Sequence, residues 1–295
     1  MSSRFELGGD EYVLVVVDES MSLDVNLRAM AQAAAVERLS IDGVIEVCPG
    51  NASYLVHYDP EAIAGEELVE RLRDAGDDAG EAGPIPSRHV TIPIWFDDPY
   101  TRACVERYAD RHERPDLTNL AYTALLNGMS EQELVAAYCS APWWITMVGF
   151  TPGVAFAFQM VPPERMIETP KWRSPRPFTP ERSLGHGGAF AGIDPVDEPG
   201  GYQLLGRTPV PIYDPAGNLP GLNGSLVLAR PADRWYFRPI DGERYREIRE
   251  AVAAGTYRYE IVEQTFEPER YAADGAAYLD ELDEHARAAG TQPKI

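Results

Sequence analysis

The residues with chemistry to offer gather between positions 149 and 209. His186 sits in Leu184-Gly185-His186-Gly187-Gly188, with glycine on both sides. Glycine lets a backbone approach a ligand closely and takes positive φ without steric cost. A histidine held there is a candidate general acid–base group or ligand donor near neutral pH. The plainer reading is a loop histidine on a flexible turn. Gly149-Phe150-Thr151-Pro152-Gly153 combines a hydroxyl, a rigid proline and two glycines, which suits a tight loop with exposed backbone amides. Arg207 ends a stretch that begins with the Gly200-Gly201 turn. Its guanidinium can grip a carboxylate or phosphate with two parallel hydrogen bonds. It can equally anchor a loop through backbone carbonyls, and residue chemistry leaves that choice open.

Other catalytic patterns are missing. The sequence has no G-x-x-x-x-G-K-[ST] phosphate loop and no G-x-S-x-G nucleophile elbow. No H-x-x-x-H or C-x-x-C spacing suggests a metal. His57, His89, His112 and His285 fall in strand or charged-helix patterns and read as structural or surface groups. Lys171 lies between Pro170 and Trp172 and Lys294 near the end, which argues against a biotinyl or Schiff-base lysine. Cys48, Cys104 and Cys139 are odd in number and scattered, so they read as reduced thiols of a cytoplasmic protein.

Charge narrows the function classes. Over 295 residues there are 47 acidic and 26 basic side chains, a net charge of −21. That argues against direct binding to nucleic acid or anionic membranes, since both need a cationic face. No apolar run approaches the ~18 residues of a membrane-spanning helix. The start, MSSRFELGGDEY, reads as no signal peptide. The charge is uneven. Residues 1–85 carry a net −13, residues 86–240 a net −2, and residues 241–295 a net −6. Within the middle part Arg165, Lys171, Arg173, Arg176 and Arg182 face only Glu168 and Glu181. If any part of the chain attracts an anion, it is this one, unless these cations pair with the acidic flanks.

The elements that must position these residues follow two textures. Over the first 95 residues the pattern predicts a strand at Tyr12–Val17, a helix at Leu23–Leu39, strands at Val44–Val47 and Tyr54–Tyr58, a helix at Gly65–Ala75 and a strand at Val90–Phe96. That β-α-β-β-α-β order is the ferredoxin-like pattern. Gly76–Ser87, acidic and rich in Gly and Pro, reads as a linker. Helices are expected at Pro99–Glu113 and Ser130–Ala141, the second with a capping box from Ser130 and Glu133. From Trp143 to Ile240, prolines and glycines separate short apolar runs at 144–148, 202–205, 225–228 and 235–237, the texture of a β-barrel or sandwich with functional loops. A helix at Glu243–Ala254, a strand at Thr256–Val262 and a polar helix at Pro268–Ala289 complete the reading.

Four strings carry a family resemblance. Gly149-Phe150-Thr151-Pro152-Gly153-Val154-Ala155-Phe156 resembles the GFTPGFAYL signature of the allophanate hydrolase subunit 1 family. Pro199 through Pro209 is similar to PGGWQLIGRTP, Ser53 through Pro60 to SLLVHYDP, and Pro231 through Ile240, more weakly, to PGDRVRFVPI. They occur in family order over about residues 5–262. That family includes the B subunit of bacterial 5-oxoprolinase and the sporulation-kinase inhibitor KipI, and it is fused into urea carboxylase as subdomains C and D of the carboxyltransferase region. The resemblance implies an α+β protein with a ferredoxin-like domain at 1–85 and a cyclophilin-like β-barrel at 86–262. The barrel would carry a helical insertion at about 99–141, and a helical tail would follow at 263–295. It implies a subunit whose active site is shared with an allophanate hydrolase subunit 2 homologue, joined in some cases by a LamB/YcsF-family subunit. ATP would act at the level of the complex, and biotin would come through a partner. The chemistry implied is opening of a cyclic or linear amide, or carboxyl transfer. The alternative is a KipI-like regulator that binds a histidine kinase and has no catalysis of its own.

The chain also departs from the family. The family loop runs PRxxVPAGSVGIAGGQTGIYP, where this chain has Pro175-Arg176 and then Thr179 through Pro195 without a gap. An Ala-Gly pair becomes Glu181-Arg182, a Gln-Thr pair becomes Phe190-Ala191, and His186 is new. If this loop lines the site, the substrate is altered, being more apolar or larger. On this reading Arg176 and Arg207 hold an anionic group, Thr151 with the Gly187 and Gly188 amides stabilises oxyanion charge, and His186 moves protons. Gly149, Phe150, Pro152, Gly153 and Phe190 complete the expected substrate wall.

Overall fold

Alternation builds the first sheet. The computed structural model describes residues 3–78, 83–219, 222 and 224–290. Strands β1 (Arg4–Gly8), β2 (Tyr12–Val16), β3 (Val44–Pro49) and β4 (Ser53–Tyr58) form an antiparallel sheet in the order β1-β2-β4-β3. Val13 and Val15 point to the core from β2, and Tyr54, Val56 and Tyr58 from β4, each pair two residues apart as pleating requires. Helices α1 (Leu23–Leu39) and α2 (Gly65–Asp78) cover that face. The Ser22 hydroxyl accepts from the Val25 amide and caps α1. Leu68 and Leu72, four apart on α2, are fully buried.

This unit contains β2-α1-β3 with β4 between its strands, the split β-α-β arrangement. It departs from the ferredoxin-like expectation at the fourth strand. That place belongs to β1, which pairs with β2 from Arg4↔Val16 to Gly8↔Tyr12. The strand expected there lies within β5 (Ile85–Phe96) and belongs to another sheet.

Two compact units divide the chain. The first holds residues up to Ile85 together with Thr265–Gly275; the second holds Pro86–Gln264 and the segment from Ala276 onward. The second unit begins with β5, followed by α3 (Pro99–Arg107), α4 (Asn119–Leu126) and α5 (Glu131–Tyr138). Asp98 caps α3 by accepting from the Tyr100 and Thr101 amides, and the Ser130–Glu133 capping box opens α5. Then come β6 (Trp143–Val148), β7 (Ala155–Gln159), β8 (Arg176–Thr179), β9 (Ser183–Gly187), β10 (Phe190–Ile193), β11 (Glu198–Gly200), β12 (Gln203–Arg207) and β13 (Arg234–Pro239). Helix α6 (Gly242–Ala253) and strand β14 (Glu260–Phe266) precede α7 (Pro268–Asp274) and α8 (Ala276–Gly290). The expected single helix at 268–289 is broken at Gly275, whose φ of 53° no helix accommodates.

The expected cyclophilin-like barrel is not what forms. The strands make an eight-stranded mixed sheet in the order β12-β9-β10-β7-β6-β13-β5-β14, with β8 and β11 paired separately. The decisive element is β5, twelve residues long. It runs parallel to β13 from His89↔Arg234 to Ile94↔Pro239, meets β12 through Trp95 and Phe96, and carries β14 at the sheet's end. Gly- and Pro-punctuated apolar runs announce strands and loops but not how the strands close or pair. The expected strand at 225–228 is no strand; only an isolated bridge, Tyr213↔Val227, occurs there.

A buried ion pair locks the parallel junction. Arg88 Nε donates to Asp233 Oδ1 at 2.7 Å, and Arg88 Nη2 donates to both Asp233 Oδ2 and the Leu228 carbonyl. Both side chains are almost fully buried. Removing one partner strands a buried charge, at a cost of about 3–5 kcal/mol. Asp233→Ala and Arg88→Ala are therefore each expected to lower unfolding free energy by about that amount in urea titrations. A loss below about 1 kcal/mol, the size of an exposed pair, would contradict this account.

Candidate functional site

A cavity of about 340 Å³ opens beneath the Gly149–Gly153 loop. Phe150, Val154, Phe156, Trp172 and Tyr202 give it an aromatic and aliphatic wall, and Lys171, Arg176 and Asp194 supply its charges. A wider groove of about 580 Å³ runs along α1 and α2, but no orphaned buried polar group lines it.

Arg176 is 1% exposed. Its guanidinium lies 4.4 Å from the Trp172 ring. Nη2 donates to the Tyr202 carbonyl at 2.8 Å and, more weakly, to Thr179 Oγ1 at 3.4 Å. Nε and Nη1 are buried without a partner. Burial pulls its pKa below the ordinary arginine value. Buried guanidinium N–H groups are costly to leave unpaired, which marks a place where an acceptor belongs.

The acceptors nearby are carboxyls. Asp194 follows β10 and Glu198 begins β11. Glu198 is 5% exposed, and neither of its oxygens has a hydrogen-bond donor. Asp194 is pushed well above the usual carboxyl range, first by burial and then by the Glu198 carboxyl beside it. Burial also raises the Tyr202 phenol to about 12, with Asp194 adding to the shift.

Tyr202 forms its wall because β9 offers no side chains beneath it. A Cβ on Gly185 would meet Tyr202 Cβ at 2.9 Å, and one on Gly187 would meet Tyr202 Cδ1 at 2.4 Å. Lys171 closes the other side, its ammonium 5.1 Å from the Tyr202 ring centre.

The residues singled out by sequence scatter around this cavity. Phe150 and Arg176 line it. Phe150 is 74% exposed and has φ 73°, a conformation bulky residues rarely adopt. Gly149, Thr151, Pro152 and Gly153 shape the loop without lining the cavity. The Thr151 hydroxyl is buried and unpartnered, and Gly153, at φ 94°, packs under Tyr213, Val227 and Pro195. Phe190 stacks on Phe158 at 4.1 Å. Arg207 lies elsewhere: its Nε donates to the Glu181 carbonyl and its plane covers Tyr100, so it anchors a loop. The Gly188 amide is already spent on the Thr169 carbonyl at 2.7 Å and is no oxyanion donor.

His186 belongs to the core. It is fully buried, Nε2 donates to the Ile167 carbonyl at 3.0 Å, and Nδ1 accepts from the Tyr138 hydroxyl at 3.2 Å. With both nitrogens committed and burial lowering its pKa to about 4, it is a neutral structural imidazole and does not fit the expected proton-moving role. Asp194 and Glu198 were missed by sequence reasoning. A signal existed: the family loop ends Gly-Ile-Tyr-Pro, where this chain has Gly192-Ile193-Asp194-Pro195. Among the described residues no group of three or more His, Cys, Asp or Glu is placed to hold a metal ion, and no helix is long and apolar enough to cross a membrane.

The second unit thus carries an aromatic cavity under the Gly149–Gly153 loop, with a buried arginine whose Nε and Nη1 are free. The chain belongs to the carboxyltransferase domain family, subdomains C and D, which matches residues 3–222. It is 29% identical over 274 residues to urea amidolyase of Saccharomyces cerevisiae, covering 90% of this chain but only 15% of that one. It is 28% identical over 266 residues to the B subunit of 5-oxoprolinase from Bacillus subtilis, covering 85% of this chain and 99% of that one. Among solved structures, the Kluyveromyces lactis urea carboxylase superposes with a TM-score of 0.81 at 25% identity, over 97% of this chain and 26% of that one.

Two consequences can be measured. The His186 and His89 imidazoles have folded pKa values lowered from 6.5 to about 4. Each therefore contributes stability that is complete above about pH 6.5 and lost as pH falls toward 4. His186→Gln, which keeps a donor for the Ile167 carbonyl, is expected to flatten the fall of unfolding free energy between pH 6.5 and 4. Parallel curves for variant and parent would refute the buried neutral imidazole. Separately, Gly187→Ala drives a methyl into the Tyr202 ring and is expected to cost about 1–3 kcal/mol in urea unfolding.

Proposed function

We propose that this chain is one subunit of an ATP-dependent amide or lactam hydrolase, or carboxyltransferase, of the allophanate hydrolase/5-oxoprolinase type. It works with a subunit 2 homologue, and the cavity beneath Phe150 takes its substrate. The observation that carries this reading is Arg176: a buried guanidinium with two unpaired nitrogens, Nε and Nη1, at an aromatic cavity. Such a group orients a carbonyl or carboxylate and stabilises negative charge developing on it. The relatives support the reaction class, since they include urea amidolyase and the B subunit of 5-oxoprolinase. The near-complete span of a protein named as a subunit supports a multi-chain enzyme. Phe150 supports a partner at the cavity mouth: an exposed aromatic ring held in a strained conformation is suited to insertion into a second surface. ATP and biotin act, on this reading, through the partners.

Co-expression with a subunit 2 homologue, followed by turnover assays across lactams and ureas with and without ATP, tests it. Turnover is expected only with both subunits. Arg176→Gln is expected to lower kcat/KM about 10- to 100-fold, the worth of a charge-assisted hydrogen bond. A complex that assembles and turns over none of these compounds favours the regulatory, KipI-like reading.

A further inference from the structure

We propose that Gln203, with Asn119 beside it, is a positioning residue of this site: the two fix the Trp172 indole and, through that ring, the direction of the Arg176 guanidinium. The use of Arg176 in turnover rests on the functional reading above, whereas the network that holds it does not.

Four hydrogen-bonded groups converge on one ring. Trp172 is buried, and its Nε1 donates to Gln203 Oε1 at 2.9 Å and to Asn119 Oδ1 at 3.2 Å. The Trp172 backbone amide donates to the Gly201 carbonyl at 2.7 Å. Both side-chain acceptors are themselves pinned. Gln203 Nε2 donates to the Pro170 carbonyl at 2.8 Å, and its Oε1 also accepts from His112 Nε2 at 3.0 Å. His112 Nδ1 accepts from the Arg114 amide at 3.0 Å, which puts the ring proton on Nε2 and fixes which way the Gln203 amide faces. Asn119 Oδ1 also accepts from the Leu204 amide at 2.9 Å. Gln203 and Asn119 are each 1% exposed, so water does not compete for these bonds.

Packing completes the hold. The His112 ring meets Trp172 edge-on, 4.7 Å between centres, and the Arg176 guanidinium lies 4.4 Å from the same indole. Hydrogen bonds tie down only one end of that guanidinium: Nη2 has the Tyr202 carbonyl and Thr179 Oγ1, while Nε and Nη1 have no partner. A plate that cannot turn removes the swing left by that single anchor. Trp172 and Arg176 line the cavity and Gln203 and Asn119 do not, so the amides act through the indole. A misplacement of about 1 Å in such a donor is enough to cost about 100-fold in rate, which is what the network guards against.

Nuclear magnetic resonance on the full chain alone tests the hold. The Trp172 indole N–H, assigned by its loss in Trp172→Phe, is expected to exchange with D2O only on global unfolding. The Arg176 Nε–H, assigned by its loss in Arg176→Lys, is expected to be as rigid as backbone, with an order parameter near ~0.85. Gln203→Met keeps the length of the side chain and removes its polar atoms. It is expected to shift both signals and to lower the Arg176 order parameter below ~0.6. Gln203→Glu, buried and therefore protonated, offers the same acceptor and donor and is expected to restore both. Ile248→Ala, which weakens the core elsewhere, is expected to leave the Arg176 signal in place. In the active two-subunit complex, Gln203→Met is expected to lower kcat about tenfold with KM little changed, and Gln203→Glu to recover it.

A parent Arg176 Nε–H with an order parameter below ~0.6, or a Trp172 indole that exchanges freely, would overturn the proposal. Neither measurement needs a variant, so both stand if Gln203→Met fails to fold. An Arg176 signal that stays put in Gln203→Met while that of Trp172 moves, or an unchanged kcat in an active complex, would overturn it equally. A parent complex with no turnover counts against the functional reading and leaves the spectra of the single chain as they are, so the two fail separately.

Discussion

A guanidinium has five N–H donors, and a buried one needs acceptors for them. Arg176 has a carbonyl, a hydroxyl and the face of Trp172, and these leave Nε and Nη1 over. The cavity is organised around that shortfall. The residues that meet Arg176 come from β8, from Tyr202 just before β12 and from Trp172 before β8, and Arg176 itself is held on the separate β8–β11 ribbon. Gly200 shows how tight this hold is: a Cβ there would meet Thr179 Oγ1 at 2.8 Å and Arg176 Nη2 at 3.6 Å. A cation fixed this way adjusts little when a ligand arrives, which is the condition for stabilising charge without reorganisation.

The glycine-rich strand β9 shows one sequence signal with two physical meanings. Glycines around a histidine suggest close approach to a ligand. Here Gly185 and Gly187 face Tyr202, and their missing side chains make room for its ring. His186, between them, points to the opposite face of the strand, as alternation demands, and into Tyr138 and Trp143. The family string was informative about the neighbourhood, while period-two geometry decided which residues see the cavity.

Local patterns were legible where local physics dominates. Helix α1 has the bounds its periodicity predicts, and the Ser22 cap and the Ser130–Glu133 box are chosen by hydrogen bonds within four residues. Pairing partners were not legible. Nothing in Val90–Phe96 says that it runs parallel to β13, because that register is set by residues about 145 positions away, among them the Arg88–Asp233 pair. Strands β8 and β11 are too short and too rich in Pro and Gly to show a period. Of the site, Arg176 and Phe150 could be read from residue type and family string, whereas the place of Asp194 on the cavity wall depends on a turn that only the fold specifies.

That placement also relocates the question of substrate. The departures first noticed, Glu181-Arg182 and Phe190, do not line the cavity. Arg182, at φ 64°, pairs with Glu181 at 2.7 Å, and Phe190 packs on Phe158, so both serve the scaffold. An altered substrate inferred from them loses its footing. Asp194 does line the cavity, at the position where the family string carries tyrosine. A phenol and a carboxyl differ in size, charge and the pH at which each gives up its proton. If this chain's chemistry differs from that of its relatives, the difference is a change in what the cavity wall can accept or donate opposite Arg176, and the surrounding aromatic surface has little part in it.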